Sequence, residues 1–192
     1  MIGAAAVTAG LATYLAWPAR RSSATTRKRR ALVEYLREHL SLSEIAVRML
    51  GRLASDQPDP ADRMLFSRLA DELEQDRAVV RALLLRLGAS PRSLMRAAGA
   101  ASGTVISGMS GGKPGDLSLL RTLEALSVGV QGKRCMWRIL QDLPLADVGA
   151  VDFVELEAKA VRQWEALEAR RRALAALTFP AADQRSVRNV TE

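Results

Sequence analysis

The chain is short of cysteine, histidine and aromatic residues. There is one cysteine, Cys135, and one histidine, His39, among 192 residues. A lone cysteine excludes an intrachain disulfide and a cysteine-built zinc cluster, and a lone histidine excludes a multi-histidine zinc site. Aromatics make up only 4% and asparagine occurs once. Strands favour aromatic and β-branched side chains, whereas the abundant Ala, Leu and Arg favour helix. Phosphate-binding signatures are also missing. GGKPGD and GVQGKR contain Gly-Lys, but neither has the earlier glycine or the following Ser/Thr of a P-loop. No G-x-G-x-x-G or G-x-S-x-G follows a strand-like run.

What is present is ordinary globular composition, 48% apolar and 26% charged. That is enough to bury a core, and it excludes wholesale disorder. The net charge of +7 suggests a nucleic-acid binder until it is divided along the chain. Residues 1–30 hold six basic residues (Arg20, Arg21, Arg27, Lys28, Arg29 and Arg30) and no acid. The rest carries 22 basic and 21 acidic residues, a surplus of one. A DNA-binding domain concentrates positive charge on its folded body. No specific nucleic-acid partner is therefore expected, and any such contact would use the basic tail nonspecifically.

Residues 1–17, MIGAAAVTAGLATYLAW, contain no charge. Tyr14 and Trp17 close this apolar stretch where an interfacial aromatic belt would lie. Pro18 is expected to stop it. The segment reads as a candidate membrane anchor at the short limit for a span, with a disordered extension or an early start as alternatives. A cleaved signal peptide fits worse, because the charged leading region is missing. Residues 18–30 then read as a flexible basic linker that would touch anionic lipid. The positive flank places the body on the cytoplasmic side of a bacterial inner membrane.

Four segments of the body, residues 31–178, carry helical periodicity. The first runs roughly from Thr26 to Ala54, with Leu32, Leu36, His39, Ser43, Ala46, Leu50 and Leu53 on one stripe. The second begins at Pro60, a favoured first-turn residue. Its stripe is Phe66, Leu69, Leu73, Asp76, Val80, Leu83 and Leu87, and Gly88 closes it. The third starts with Asp116 as N-cap and carries Leu119, Leu123, Leu126, Val130, Lys133, Trp137 and Leu140. The fourth starts near Asp147, with Phe153, Leu156, Ala160, Trp164, Leu167 and Leu174 inward. Short connections make two antiparallel hairpins. Residues 88–115 form a long Ala/Gly/Ser-rich crossover, with a short helix from Pro91 to about Gly108. Residues 179–192 read as a disordered tail. Two hairpins and one long crossover describe an all-α, ferritin-like four-helix bundle, preceded by an N-terminal apolar helix.

Polar residues interrupt three apolar stripes: His39, Asp76 and Lys133. Glu72 shares a face with Asp76, and Glu124 and Glu157 border the stripes of the third and fourth helices. One reading is a metal site of His39, Glu72, Asp76, Glu124 and Glu157, whose oxygen and imidazole donors suit iron or manganese. Another is a buried polar cluster of His39, Asp76 and Lys133 that fixes helix register without chemistry. A third leaves these residues half exposed, with the lysine reaching solvent. Gly129 and Gly132 sit in mid-helix beside Trp137. Each glycine costs about 1 kcal/mol relative to alanine, which close approach of a neighbouring helix or the crossover would offset; a ligand-binding notch is the alternative. Cys135 reads as a small buried hydrophobe. Arg170, Arg171 and Arg172, following Glu165 and Glu168, read as a solvated face with i,i+3 and i,i+4 pairs.

The segments YLREHLSLSEIAVRML, LADELEQDRAVVRALLLRLG and LEALSVGVQGKRCMWRIL resemble a family of small bacterial proteins with a ferritin-like helical bundle. The resemblance covers roughly Arg29 to Leu177. The family pattern falls on His39, Glu72, Glu74, Asp76, Arg77, Glu124, Gly129, Gly132, Lys133 and Trp137. The chain departs from it at Glu38, where the family has Asp, and at Met136, where it has Leu. That family carries no established activity, so the resemblance implies a fold rather than a reaction. Di-iron bundles repeat Glu-x-x-His on two helices, and this chain has neither copy. The expectation is a bundle with a structural or protein-interaction role, with or without self-association and membrane tethering. The alternative is an iron or manganese carboxylate bundle with oxidoreductase chemistry.

Overall fold

The computed structural model describes the backbone of residues 5–90, 115–143 and 151–179, and the side chains of these from residue 25 onward. Among the described residues all regular structure is helical, with no strand: α1 (Ala5–Asp56), α2 (Pro60–Arg86), α3 (Asp116–Asp142) and α4 (Phe153–Thr178). The expected helix in residues 91–108, the polar tail from residue 180, and the side chains of the apolar segment lie outside the described residues.

The ends of the helices follow local chemistry. Asp59 caps α2 by accepting from the Ala61 amide at 2.9 Å, and Pro60 occupies the first turn. At the other end Gly88 takes φ +80°. Its amide donates to the Leu85 carbonyl and the Ala89 amide to Leu84, at 3.0 and 2.9 Å. This is the paired-hydrogen-bond stop that a left-handed residue makes possible. Arg29 adds a second cap from another helix, donating to the Arg86 and Leu87 carbonyls at 3.0 and 3.1 Å. Cationic side chains suit these carbonyl-rich ends.

Three expected boundaries move. The first helix does not wait for Thr26: α1 is continuous from Ala5 through Pro18, so residues 18–30 are helix rather than flexible linker. Proline removes one helical hydrogen bond, but the Ala, Arg and Lys residues that follow it are strong helix formers. Helix α3 has Gly115 as its N-cap, with Asp116 already in the first turn. Helix α4 begins at Phe153 rather than near Asp147, because the Asp152 carboxylate caps the Glu155 amide. No helix among the described residues is long and apolar enough to cross a membrane.

Helix α1 packs chiefly on α2, and α3 on α4. Both pairs are antiparallel, as Arg29–Leu87 and Glu44–Arg77 show for the first, and Glu124–Arg171 and Arg134–Glu157 for the second. Helix α4 also opposes α2 in direction, through Asp62–Arg170 and Asp76–Lys159. Helices α2 and α3 therefore run the same way, so the end of α2 and the start of α3 lie at opposite ends of the bundle. The shared core is built on Leu36, Leu50, Phe66, Leu83, Leu123 and Trp137. Trp137 stacks on Phe153 with ring centroids 6.1 Å apart. Cys135, expected inside, is exposed; its two following neighbours, Met136 and Trp137, take the inward positions. Replacing Gly88 with alanine puts a Cβ into the left-handed region. The variant is expected to lose about 1–2 kcal/mol, and Gly88→Asn less, as read by urea denaturation.

Candidate functional site

The inward stripe of α2 begins one turn earlier than its first apolar residue. Asp62, Phe66, Leu69, Leu73, Asp76, Val80 and Leu83 are all buried. Asp76 is only 2% exposed, so its charge must be answered inside the bundle. Two lysines answer it. Lys133 of α3 donates to Asp76 Oδ2 at 2.5 Å, and Lys159 of α4 donates to Oδ1 at 2.9 Å. Lys133 also donates to Gln163 Oε1. The Gln163 amide in turn donates to Glu72 Oε2 at 3.0 Å. Lys159 completes the ring through the Glu72 carbonyl and Gln75 Oε1, both at 3.2 Å. Two cations thus face two carboxylates, and three helices are joined. Burial pushes the Lys133 ammonium below its usual range, against the pull of Asp76.

Two further ion pairs tie helices together. Arg77, buried on α2, is held by Glu44 of α1 and by Glu74. Arg81 also binds Glu74, and the two arginines hold the Glu74 carboxyl below its usual range against the cost of burial. Towards the start of α2, Arg170 grips buried Asp62 through two parallel hydrogen bonds of 2.6 and 2.7 Å. This fork-to-carboxylate geometry is the strongest form of the contact. Arg170 is therefore an inter-helix clamp rather than part of a solvated face. Arg171 does make the expected i,i+3 pair with Glu168, and Arg172 stays exposed.

The expected metal ligands are distributed as follows. Asp76 and Glu72 share the lysine network. His39 is half-buried, with its ring edge-on to Tyr35 at 4.7 Å. Glu157 lies against Arg134 and Arg138, and the Gln141 amide and Arg134 hold its carboxyl below the usual range. Glu124 is exposed and 3.7 Å from Arg171. Among the described residues no three His, Cys, Asp or Glu side chains are grouped to hold a metal ion. Of the expected polar cluster, Asp76 and Lys133 bond directly, and His39 lines the same cavity without a hydrogen bond to either.

That cavity, of about 280 Å³, lies between α1, α2 and α3. Gly129 and Gly132 are in its wall, and a Cβ built on either would meet no described atom within 4 Å. The close helix approach expected of these glycines is thus not found among the described residues. They leave space instead. Trp137, which also lines the cavity, is fully buried.

Lys159 and Gln163 are the residues that pattern reading missed. A signal was available: Leu156, Ala160, Gln163, Leu167, Arg170 and Leu174 recur at strict spacings of four and three. Choosing apolar Trp164 over Gln163 broke that series. No known protein family matches the chain, and no curated protein or solved structure shows significant similarity to it.

Removing Asp76 would leave two partly buried lysines without their shared counter-charge. Asp76→Ala is expected to cost about 3–5 kcal/mol. Pairing Asp76→Leu with Lys133→Met should recover most of that loss, as measured by urea midpoints. A second expectation concerns pH. Burial holds the His39 pKa below its ordinary 6.5, with Glu38 pulling it up. Between the folded and unfolded values the unfolded chain binds more proton, so stability rises with pH there. The contribution is complete above 6.5 and is lost as pH falls through the folded value. His39→Gln should therefore flatten the stability profile just below 6.5, a difference readable in denaturation series.

Proposed function

We propose that the protein is a non-catalytic, ferritin-like helical bundle that serves a structural or protein-interaction role. The observation that carries this reading is the pairing of the inner charges. Asp76 has both carboxylate oxygens committed to lysines, and Glu157 and Glu124 lie against arginines. A general base needs a free lone pair, and a di-metal site needs carboxylates facing one another. The ferritin-like assignment is supported by helix direction: two antiparallel hairpins, with the second and third helices parallel. Its working parts are then its surfaces, where Met64, Val154 and Leu177 are among the large apolar side chains left exposed. The charge-free residues 1–17, followed by the basic residues of 18–30, support tethering to an anionic membrane with the body on the cytoplasmic side.

The test is metal content by mass spectrometry. The full chain is incubated with Fe(II), Mn(II) and Zn(II) and desalted, beside His39→Ala and Glu72→Ala. Only trace metal is expected in all three proteins. Near-stoichiometric metal that both substitutions abolish would establish the iron or manganese alternative.

A further inference from the structure

We propose that the outward face of α3 is a self-association surface, on which two copies of the chain pack α3 against α3, antiparallel, about a twofold axis. The proposal rests on the protein-interaction reading above and commits to a second copy as the partner.

Helix α3 carries two stripes. Leu123, Leu126, Val130, Trp137 and Leu140 are buried in the bundle. On the opposite side Arg121, Ala125, Val128, Gly132, Cys135 and Ile139 follow one another at spacings of four and three in strict alternation. That alternation is the seam of a two-helix coiled coil. All but Gly132 are exposed, Val128 at 73% and Ile139 at 46%. Apolar side chains repeated along an exposed stripe mark an interaction surface.

Shape and charge both point to the same stripe on a second copy. A twofold axis at the level of Val130 sets Val128 opposite Gly132 of the second copy, Ala125 opposite Cys135, and Arg121 opposite Ile139. Symmetry makes each of these contacts twice. Val128 then fills the notch at Gly132, where a Cβ would meet no described atom within 4 Å. The Arg121 stem covers Ile139 while its charged head stays in water. The cost of Gly132 to α3 is thereby offset in the pair.

The flanking charges fit this register. Glu124 and Arg138 lie on one edge of the seam, seven residues to either side of Gln131. In the antiparallel pair Glu124 of each copy meets Arg138 of the other. Both are exposed, and their contacts within the chain are loose: Glu124 is 3.7 Å from Arg171, and Arg138 is 3.6 Å from Glu157. A parallel pair would stack Arg121 on Arg121 and set Glu124 beside Gly129. Edge charges of this kind decide helix orientation.

The test is sedimentation equilibrium of the full chain, with a short bismaleimide cross-linker reporting the register. The wild-type chain is expected to dimerise, doubling its mass of 20.8 kDa. Val128→Glu and Glu124→Arg should each weaken the dimer at least about tenfold, a ratio worth about 1.4 kcal/mol, with the helical circular dichroism kept. Adding Arg138→Glu to Glu124→Arg should restore it. The two Cys135 residues would lie ten residues apart along the pair, about 15 Å, so the wild-type chain should not cross-link. Ala125→Cys should cross-link through Cys135 of the second copy. A monomer, a dimer indifferent to Val128→Glu, a charge exchange without rescue, no cross-link in Ala125→Cys, or a cross-link in the wild type would each overturn the proposal. A dimer held by residues 1–30 would show as that indifference, and another protein or another segment of the chain on this face would show as a monomer. The charge exchange and the cross-link decide even if Val128→Glu does not fold. None of these outcomes bears on the metal measurement, so failure of the pairing and failure of the non-catalytic reading are told apart.

Discussion

Asp76 is the constraint around which the bundle is arranged. A carboxylate at the centre of a helical core is tolerated only if cations reach it, and here they come from two other helices. Lys133 and Lys159 bind its two oxygens separately, and Gln163 links the first lysine to Glu72. Such a network contributes little net stability beyond what well-packed apolar residues would supply. Its geometry nevertheless admits few alternatives, because sliding one helix by a turn would strand a buried charge. The Asp62–Arg170 fork repeats the device further along the α2–α4 interface. Together the two contacts set the register between the hairpins, which apolar stripes alone leave loosely defined.

The helices approach one another unequally. The closest helix packing lies within each hairpin, α1 on α2 and α3 on α4. Between hairpins, long polar side chains span the gap from α2 to α3 and α4. On the α1–α3 side, where the backbones of the two hairpins come closest, the lining of the cavity is largely apolar. There α3 presents Gly129 and Gly132, and space remains. The charged side of the bundle and the hollow side meet at Asp76, Arg77 and Lys133, which take part in ion pairs and also line the cavity.

Much of the fold was legible in the sequence. The α2 stripe from Phe66 to Leu83 is buried at every expected position, Asp76 included. Pro60 and Gly88 mark the ends of α2 through backbone chemistry that depends only on local residues. Less was legible where polar side chains occupy inward positions. Gln163 and Arg170 hold seam positions on α4, but a reading that ranks residues by hydrophobicity passes over them. Arg29 looked like part of a basic tail and is a cap on α2. The continuation of α1 through Pro18 was missed because proline is weighed as a stop, whereas the helix around it is long enough to absorb one lost hydrogen bond.

The sequence by itself determined the helical class, the buried stripe of α2, most of the helix ends and the presence of charge on the seams, because these follow from periodicity and local backbone preference. Only the tertiary structure decided which charges meet. Asp76 is separated by 57 residues from Lys133 and by 83 from Lys159. Glu72, Glu124 and Glu157 have the same carboxylate chemistry and differ in what their neighbours bring to them. The glycines show the same division. Their cost to α3 is local and readable, but whether the missing Cβ admits a helix or leaves a hollow depends on the spacing of three helices, and no single segment encodes that distance.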